Sequence, residues 1–123
     1  MGKNSINILT LNVRGLNGGL KRNNIFKWLK DNQSHIVFLQ ETYCTPKLEP
    51  ILSNDWGGIS CHATTSSSHS RGVSILFNCK FPINIINVHR DQDGRKLLVN
   101  VEIYGNPYTF VNVYAPNTES NRR

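Results

Sequence analysis

The 123-residue chain contains no run approaching the roughly 20 apolar residues that a membrane-crossing helix needs, so no such span is expected. A secretory leader is equally missing at the N-terminus. In MGKNSINILTLNV the apolar residues alternate with Asn and Thr instead of forming a block. Met1-Gly2 does not open a myristoylation motif, because Ile6 stands where Ser or Thr is required. No CxxC pair exists. Cys44, Cys61 and Cys79 are too widely spaced for that kind of metal site, and an odd count without a leader reads as reduced thiols. The expected location is therefore intracellular, nuclear or cytoplasmic, with no membrane association.

Acid is absent from the first 30 residues, which carry Lys3, Arg14, Lys21, Arg22, Lys27 and Lys30. The other eight of the 14 basic residues are balanced by the 8 acidic ones, so the whole net charge of +6 belongs to the first quarter. Such a local surplus favours a polyanion as partner, and it is equally compatible with a solvated face.

What is present is the pattern of a mixed α/β domain. Residues 5–13 alternate as a largely buried strand, and Gly15, Gly18 and Gly19 end it. Ile25, Trp28 and Leu29 at i, i+3, i+4 predict an amphipathic helix over 20–32, with Lys21, Arg22, Lys27 and Lys30 on its solvent face. The run 35–40 predicts a second buried strand. Strand, helix, strand makes a βαβ unit with parallel strands and a right-handed crossover. Further strands are expected at about 58–63, 72–78, 83–89, 96–104 and 108–114. The turns Asp91–Gly94 and Gly105–Pro107 make the last three an antiparallel meander. Residues 62–70, HATTSSSHS, read as an exposed polar loop, and that polarity accounts for His62 and His69. One helix cannot cover so many strands. The sheet bearing Val111 and Val113 should therefore expose an apolar patch or an open edge.

Parallel strands end at one rim, where open α/β sheets bind ligands. Asn12 and Glu41 close the two strands there. A carboxylate leaving a buried strand can hold Mg²⁺, which accepts one or two protein carboxylates plus water. On position alone, a solvated acid or a local cap is the plainer reading of Glu41. Asn12 offers an amide to phosphate or metal, or to nearby backbone. Tyr114 and Asn117, at the end of the last strand, can hydrogen-bond phosphate without charge. Tyr114 also suits an ordinary strand aromatic. Arg71-Gly72 can meet phosphate or simply turn the chain.

Four segments in order carry a resemblance: LNVRGLN (Leu11–Asn17), FLQET (Phe38–Thr42), SRGVSILF (Ser70–Phe77) and VNVYAPN (Val111–Asn117). Together they resemble the N-terminal part of the endonuclease/exonuclease/phosphatase superfamily. More narrowly, they look like the apurinic-type endonuclease domain of vertebrate LINE retrotransposon reverse-transcriptase polyproteins. The resemblance implies the N-terminal half of a four-layer α/β sandwich, two packed mixed sheets flanked by helices. It implies a nuclease that nicks DNA with Mg²⁺ (or Mn²⁺), leaving a 3′-hydroxyl for a downstream reverse transcriptase domain. Carried over by motif, Asn12 positions phosphate and metal, Glu41 is the main metal carboxylate, Tyr114 contacts the scissile phosphate and Asn117 lies near the DNA backbone.

Two departures qualify that picture. Arg14 stands where DNA-repair members often carry an acid, which favours the retrotransposon branch and adds a cation beside the DNA path. The family's second half supplies an Asp-x-Asn, a further Asp and a Ser-Asp-His. Here no Asp follows Asp93 and no His follows His89. Acid–base catalysis needs such groups within reach of the phosphate. Residues 1–123 are therefore expected to be a truncated domain with little or no turnover. The alternatives are a degenerate remnant with weak nucleic-acid binding, and a phosphatase or phospholipase of the same superfamily.

Overall fold

The alternating N-terminal segment becomes strand β1 (Ile8–Asn12), and Gly18 precedes helix α1 (Gly19–Asp31). Strand β2 (Ile36–Gln40) follows and lies parallel to β1, in register from Ile8↔Ile36 to Asn12↔Gln40. The expected βαβ unit is thus present. This computed structural model describes residues 5–32, 34–78 and 82–115, so Asn117 and Cys79 lie outside the described residues.

Helix α2 (Glu49–Trp56) comes next, then β3 (Ser60–Ala63) and β4 (Val73–Phe77). β4 pairs antiparallel with both β2 and β3, giving a mixed sheet in the order β1-β2-β4-β3. Strands β5 (Ile83–Arg90), β6 (Lys96–Ile103) and β7 (Asn106–Val113) form the expected antiparallel meander as a second sheet.

The continuous apolar run of β2 reflects burial on both faces. Val37 and Leu39, with Leu76 of β4, pack under Phe26 and Leu29 of α1 and Leu52 and Trp56 of α2. Ile36, Ile75 and Phe77 face the other way, onto Leu97, Val99, Val101, Ile103 and Phe110 of the second sheet. Helices, sheet and sheet are three successive layers of the α/β sandwich. Among the described residues β7 pairs only with β6, and Val111 and Val113 are about half exposed (48% and 52%) on its outer face. The expected apolar edge is there.

Several details differ from the sequence reading. Helix α2 lies between the strands at 35–40 and 58–63, where the sequence reading placed no helix. Pro50 sits in its first turn, where no intrahelical N–H is needed, so proline starts this helix instead of preventing it. The β6–β7 turn is centred on Tyr104 (φ 52°) and Gly105 (φ 78°), with Ile103 opposite Asn106. Two positive-φ central residues suit the right-handed strand twist, so Asn106 and Pro107 join an edge strand that tolerates proline.

The α1 face is also rotated from its expected position. Arg22, Phe26 and Leu29 are buried, while Trp28 is 52% exposed. Arg22 is therefore not a solvent-face residue. Its Nε donates to Asp55 Oδ2 at 2.8 Å, and Nη1 donates to the carbonyls of Leu16 (2.8 Å) and Asn17 (3.1 Å). This guanidinium ties the rim loop to both helices. Lys21, Lys27 and Lys30 are exposed, as expected.

Residues 62–70 are likewise only partly a loop. His62 and Ala63 belong to β3, and His62 and Thr65 are each 1% exposed. Ser66 and His69 are exposed. The His62 ring lies between Ser74 Oγ (2.7 Å from Nδ1) and Ser60 Oγ (3.0 Å from Nε2). Burial, and secondarily the Arg90 cation, lower its pKa to about 4.

Three stability predictions follow from these environments. Arg22→Ala should lower unfolding free energy by roughly 2–4 kcal/mol in urea titration, because it orphans two loop carbonyls and Asp55. Lys27→Ala, in an exposed i, i+4 pair with Asp31, should change it by less than about 0.5 kcal/mol. His62 binds a proton more readily in the unfolded chain, whose histidine titrates near its ordinary 6.5. Its contribution is fully present above pH 6.5 and is lost as pH falls toward about 4, below which no more is lost. The total is about 3 kcal/mol. Urea midpoints between pH 7 and 4 should fall in wild type, and His62→Gln should flatten that slope.

Candidate active site

The rim is built from loops that continue the strand pairing after the strands end. Val13 N–H donates to Gln40 O (3.0 Å), Gly15 N–H to Glu41 O (2.7 Å) and Leu16 N–H to Thr42 O (3.0 Å). On the other side, Thr42 and Tyr43 donate to the carbonyls of Gly72 (3.0 Å) and Arg71 (2.9 Å). Gly72 N–H then reaches Gly94 O in the β5–β6 turn (2.9 Å), and Tyr114 N–H reaches Arg95 O (2.8 Å). The segments after β1 and β2, before β4 and after β7 are thus stitched into one backbone network.

Several of these residues adopt left-handed backbone conformations: Arg14 (φ 51°), Glu41 (φ 56°), Tyr43 (φ 58°) and Arg71 (φ 65°). Two glycines make the close approaches possible. A Cβ on Gly15 would lie 2.6 Å from Cδ2 of the Tyr43 ring, and one on Gly72 would overlap Thr42 Oγ1. Thr42 is fully buried, so the loop cannot give way there.

Glu41 leaves the sheet half-buried, and its carboxylate receives two side chains. Asn12 Nδ2 donates to Oε2 at 3.1 Å, and the Tyr43 hydroxyl lies 3.5 Å from Oε1. Asn12 Oδ1 in turn accepts the Arg14 N–H at 3.2 Å, and the Arg14 carbonyl accepts Lys21 Nζ at 3.0 Å. Burial and the adjacent Glu41 charge hold the Tyr43 phenol above its ordinary pKa; Arg14 opposes this and Tyr114 acts with it. Tyr43 therefore remains a hydroxyl donor near neutral pH.

Asn12, Arg14, Glu41 and Tyr114 all lie at this rim, with Asn12 and Arg14 exposed and Tyr114 half-buried. Residues that the sequence reading passed over also belong here. Tyr43 touches Glu41, and Gln40 and Asn112 form a polar link beneath it. Asn112 is 2% exposed although it shares the inward alternation of Phe110. The sequence alone carried no signal for it, because a polar residue between two valines reads as facing water.

The rim fits a hard divalent cation on the chemistry of its donors. A carboxylate has about four lone-pair directions, and two donors leave room for a metal. Among the described residues no three His, Cys, Asp or Glu cluster into a metal cage. That donor set suits an ion that keeps most of its own water, as Mg²⁺ does.

Comparison with known proteins bears on this arrangement. The Endonuclease/Exonuclease/phosphatase family profile matches residues 9–123. The Transposon TX1 uncharacterized 149 kDa protein of Xenopus laevis is 32% identical over 120 residues, 96% of this chain and 9% of that protein. Among solved structures, the AP endonuclease LMAP from Leishmania major matches with a TM-score of 0.67 at 17% identity, over 95% of this chain and 43% of that one. The Xenopus laevis APE2 catalytic domain matches with a TM-score of 0.64 at 20% identity, over 94% and 46%. These two likenesses are of fold. The chain thus spans less than half of either structure and about a tenth of the transposon protein. It belongs to the endonuclease/exonuclease/phosphatase family.

Proposed function

We propose that this chain is the N-terminal portion of a divalent-metal-dependent DNA endonuclease domain of a retrotransposon polyprotein. In this reading it carries the metal carboxylate and the first phosphate contacts, with little or no turnover of its own. The observation that carries the proposal is the Glu41 carboxylate, oriented by Asn12 where two parallel strands end. The transposon relative supports the retroelement assignment.

The parent reaction is hydrolysis of one DNA phosphodiester, with water adding at phosphorus and the deoxyribose 3′-oxygen leaving as the hydroxyl that primes reverse transcription. Mg²⁺ or Mn²⁺, when bound, neutralises charge developing on the phosphate oxygens. Glu41 holds that ion, and Asn12 fixes the carboxylate and offers its amide to phosphate. Tyr114 donates its hydroxyl to a phosphate oxygen, while Arg14 and Asn117 contact the DNA backbone. The groups that would activate the water are assigned to the second half of the same endonuclease domain, with a reverse transcriptase domain further downstream in the polyprotein. The apolar edge at Val111 and Val113 is where that half would pack.

A second reading, a remnant that binds nucleic acid weakly and catalyses nothing, draws on the positive charge that Arg14 and Lys21 keep beside Asn12. Mn²⁺ binding and supercoiled-plasmid nicking test both. The chain should bind Mn²⁺, and Glu41→Gln should weaken that binding at least ~10-fold, or about 1.4 kcal/mol. No nicking is expected. Mn²⁺ binding indifferent to Glu41→Gln would overturn the metal assignment and leave the remnant. Nicking that vanishes in Glu41→Ala would overturn the expected inactivity.

A further inference from the structure

Between the two sheets lies an apolar core, and among the described residues a single buried side-chain amide interrupts it. Asn112 Nδ2 donates to the carbonyls of Leu39 on β2 and Ser74 on β4, each at 2.9 Å. Its Oδ1 accepts Gln40 Nε2, also at 2.9 Å, and Gln40 Nε2 lies 3.0 Å from Thr10 Oγ1 on β1. One side chain of β7 is thus bonded to β2 and β4 directly and to β1 through Gln40. These are the four strands that lead into or out of the rim.

We infer that Asn112 is a positioning residue, which holds the Tyr114 arm of the rim at a set place relative to the Glu41 arm. Gln40 immediately precedes Glu41, and Asn112 stands two residues before Tyr114. The meaning of those two arms rests on the endonuclease reading. The geometry alone supports the coupling. Apolar contacts between packed sheets are non-directional and leave sliding soft, whereas hydrogen bonds of set length and direction do not. β7 particularly needs such a lock, because it is paired on one side only among the described residues. A leucine could fill the Asn112 site. It would bond neither carbonyl and leave Gln40 without its partner.

Amide hydrogen exchange on the full chain tests this without metal or DNA. In Asn112→Leu, the Tyr114 N–H (donor to Arg95 O) and the Gly15 N–H (donor to Glu41 O) should exchange about tenfold faster or more. That factor is taken relative to Val99 and Val101 in the centre of β6. A general loss of stability would accelerate all four alike. Gln40→Met, which removes one of the three bonds and keeps both carbonyl contacts, should give the same local pattern with a smaller factor. It serves as the deciding variant if Asn112→Leu does not fold. Uniform acceleration in the folded variant, or none at Tyr114, overturns the inference. Failure of Mn²⁺ binding at Glu41 would sink the metal assignment and leave this coupling standing.

Discussion

The contact on which the rim depends is the Asn112 amide bridging two sheets. Desolvating a carboxamide costs on the order of 1–3 kcal/mol when its partners are missing, so such a group persists in an apolar layer only fully bonded. Here all three bonds are 2.9 Å, and a fourth contact extends the chain to Thr10. Inter-sheet packing by Ile75, Phe77, Val99 and Phe110 supplies the adhesion, and the amide supplies direction. Adhesion without direction would still build a sandwich. It would not hold the ends of β2 and β7 in a set relation.

Backbone strain at the rim is held by a separate set of bonds. Arg14, Glu41, Tyr43 and Arg71 each adopt a left-handed conformation that costs about 1–2 kcal/mol in an ordinary side-chain-bearing residue. The backbone bonds from Gly15, Leu16, Thr42 and Tyr43 over-determine those turns, and Gly15 and Gly72 remove the atoms that would collide. Glu41 is consequently aimed by its own backbone and then by Asn12. In the endonuclease reading, two independent restraints on one carboxylate are what a preorganised ligand needs.

Much of this was legible in the residues. The alternation before Gly15 and the apolar run 35–40 made the parallel pair readable, and parallel strands must finish together, which placed Asn12 beside Glu41. The meander followed from its turns. Three things were not legible, for different physical reasons. Helix α2 is only eight residues long and carries Pro50 in its first turn, so it gave no helical pattern to read. His62 and Arg22 are polar residues whose burial depends on partners distant in sequence: Ser74, Ser60 and Asp55. Asn112 was concealed by its motif, since a polar residue between two valines reads as alternation facing water. The inward phase becomes visible only once Phe110 is known to face the other sheet.

The fold separates the five described cations among the first 30 residues, Lys3 lying outside the described residues. Arg22 is turned inward onto Asp55 and two carbonyls, Lys27 pairs with Asp31, and Lys30 Nζ sits 5.1 Å from the centre of the Trp56 ring. Arg14 and Lys21 remain at the rim, joined through the Arg14 carbonyl and adjoining Asn12. The positive field near the candidate site is therefore narrower than the net charge suggests. Salt screens an exposed pair of cations within about 8–10 Å at ordinary ionic strength. In the endonuclease reading such a pair, together with the Arg71 and Arg95 side chains of the same backbone network, would act on phosphates close to Asn12 and not over a long range.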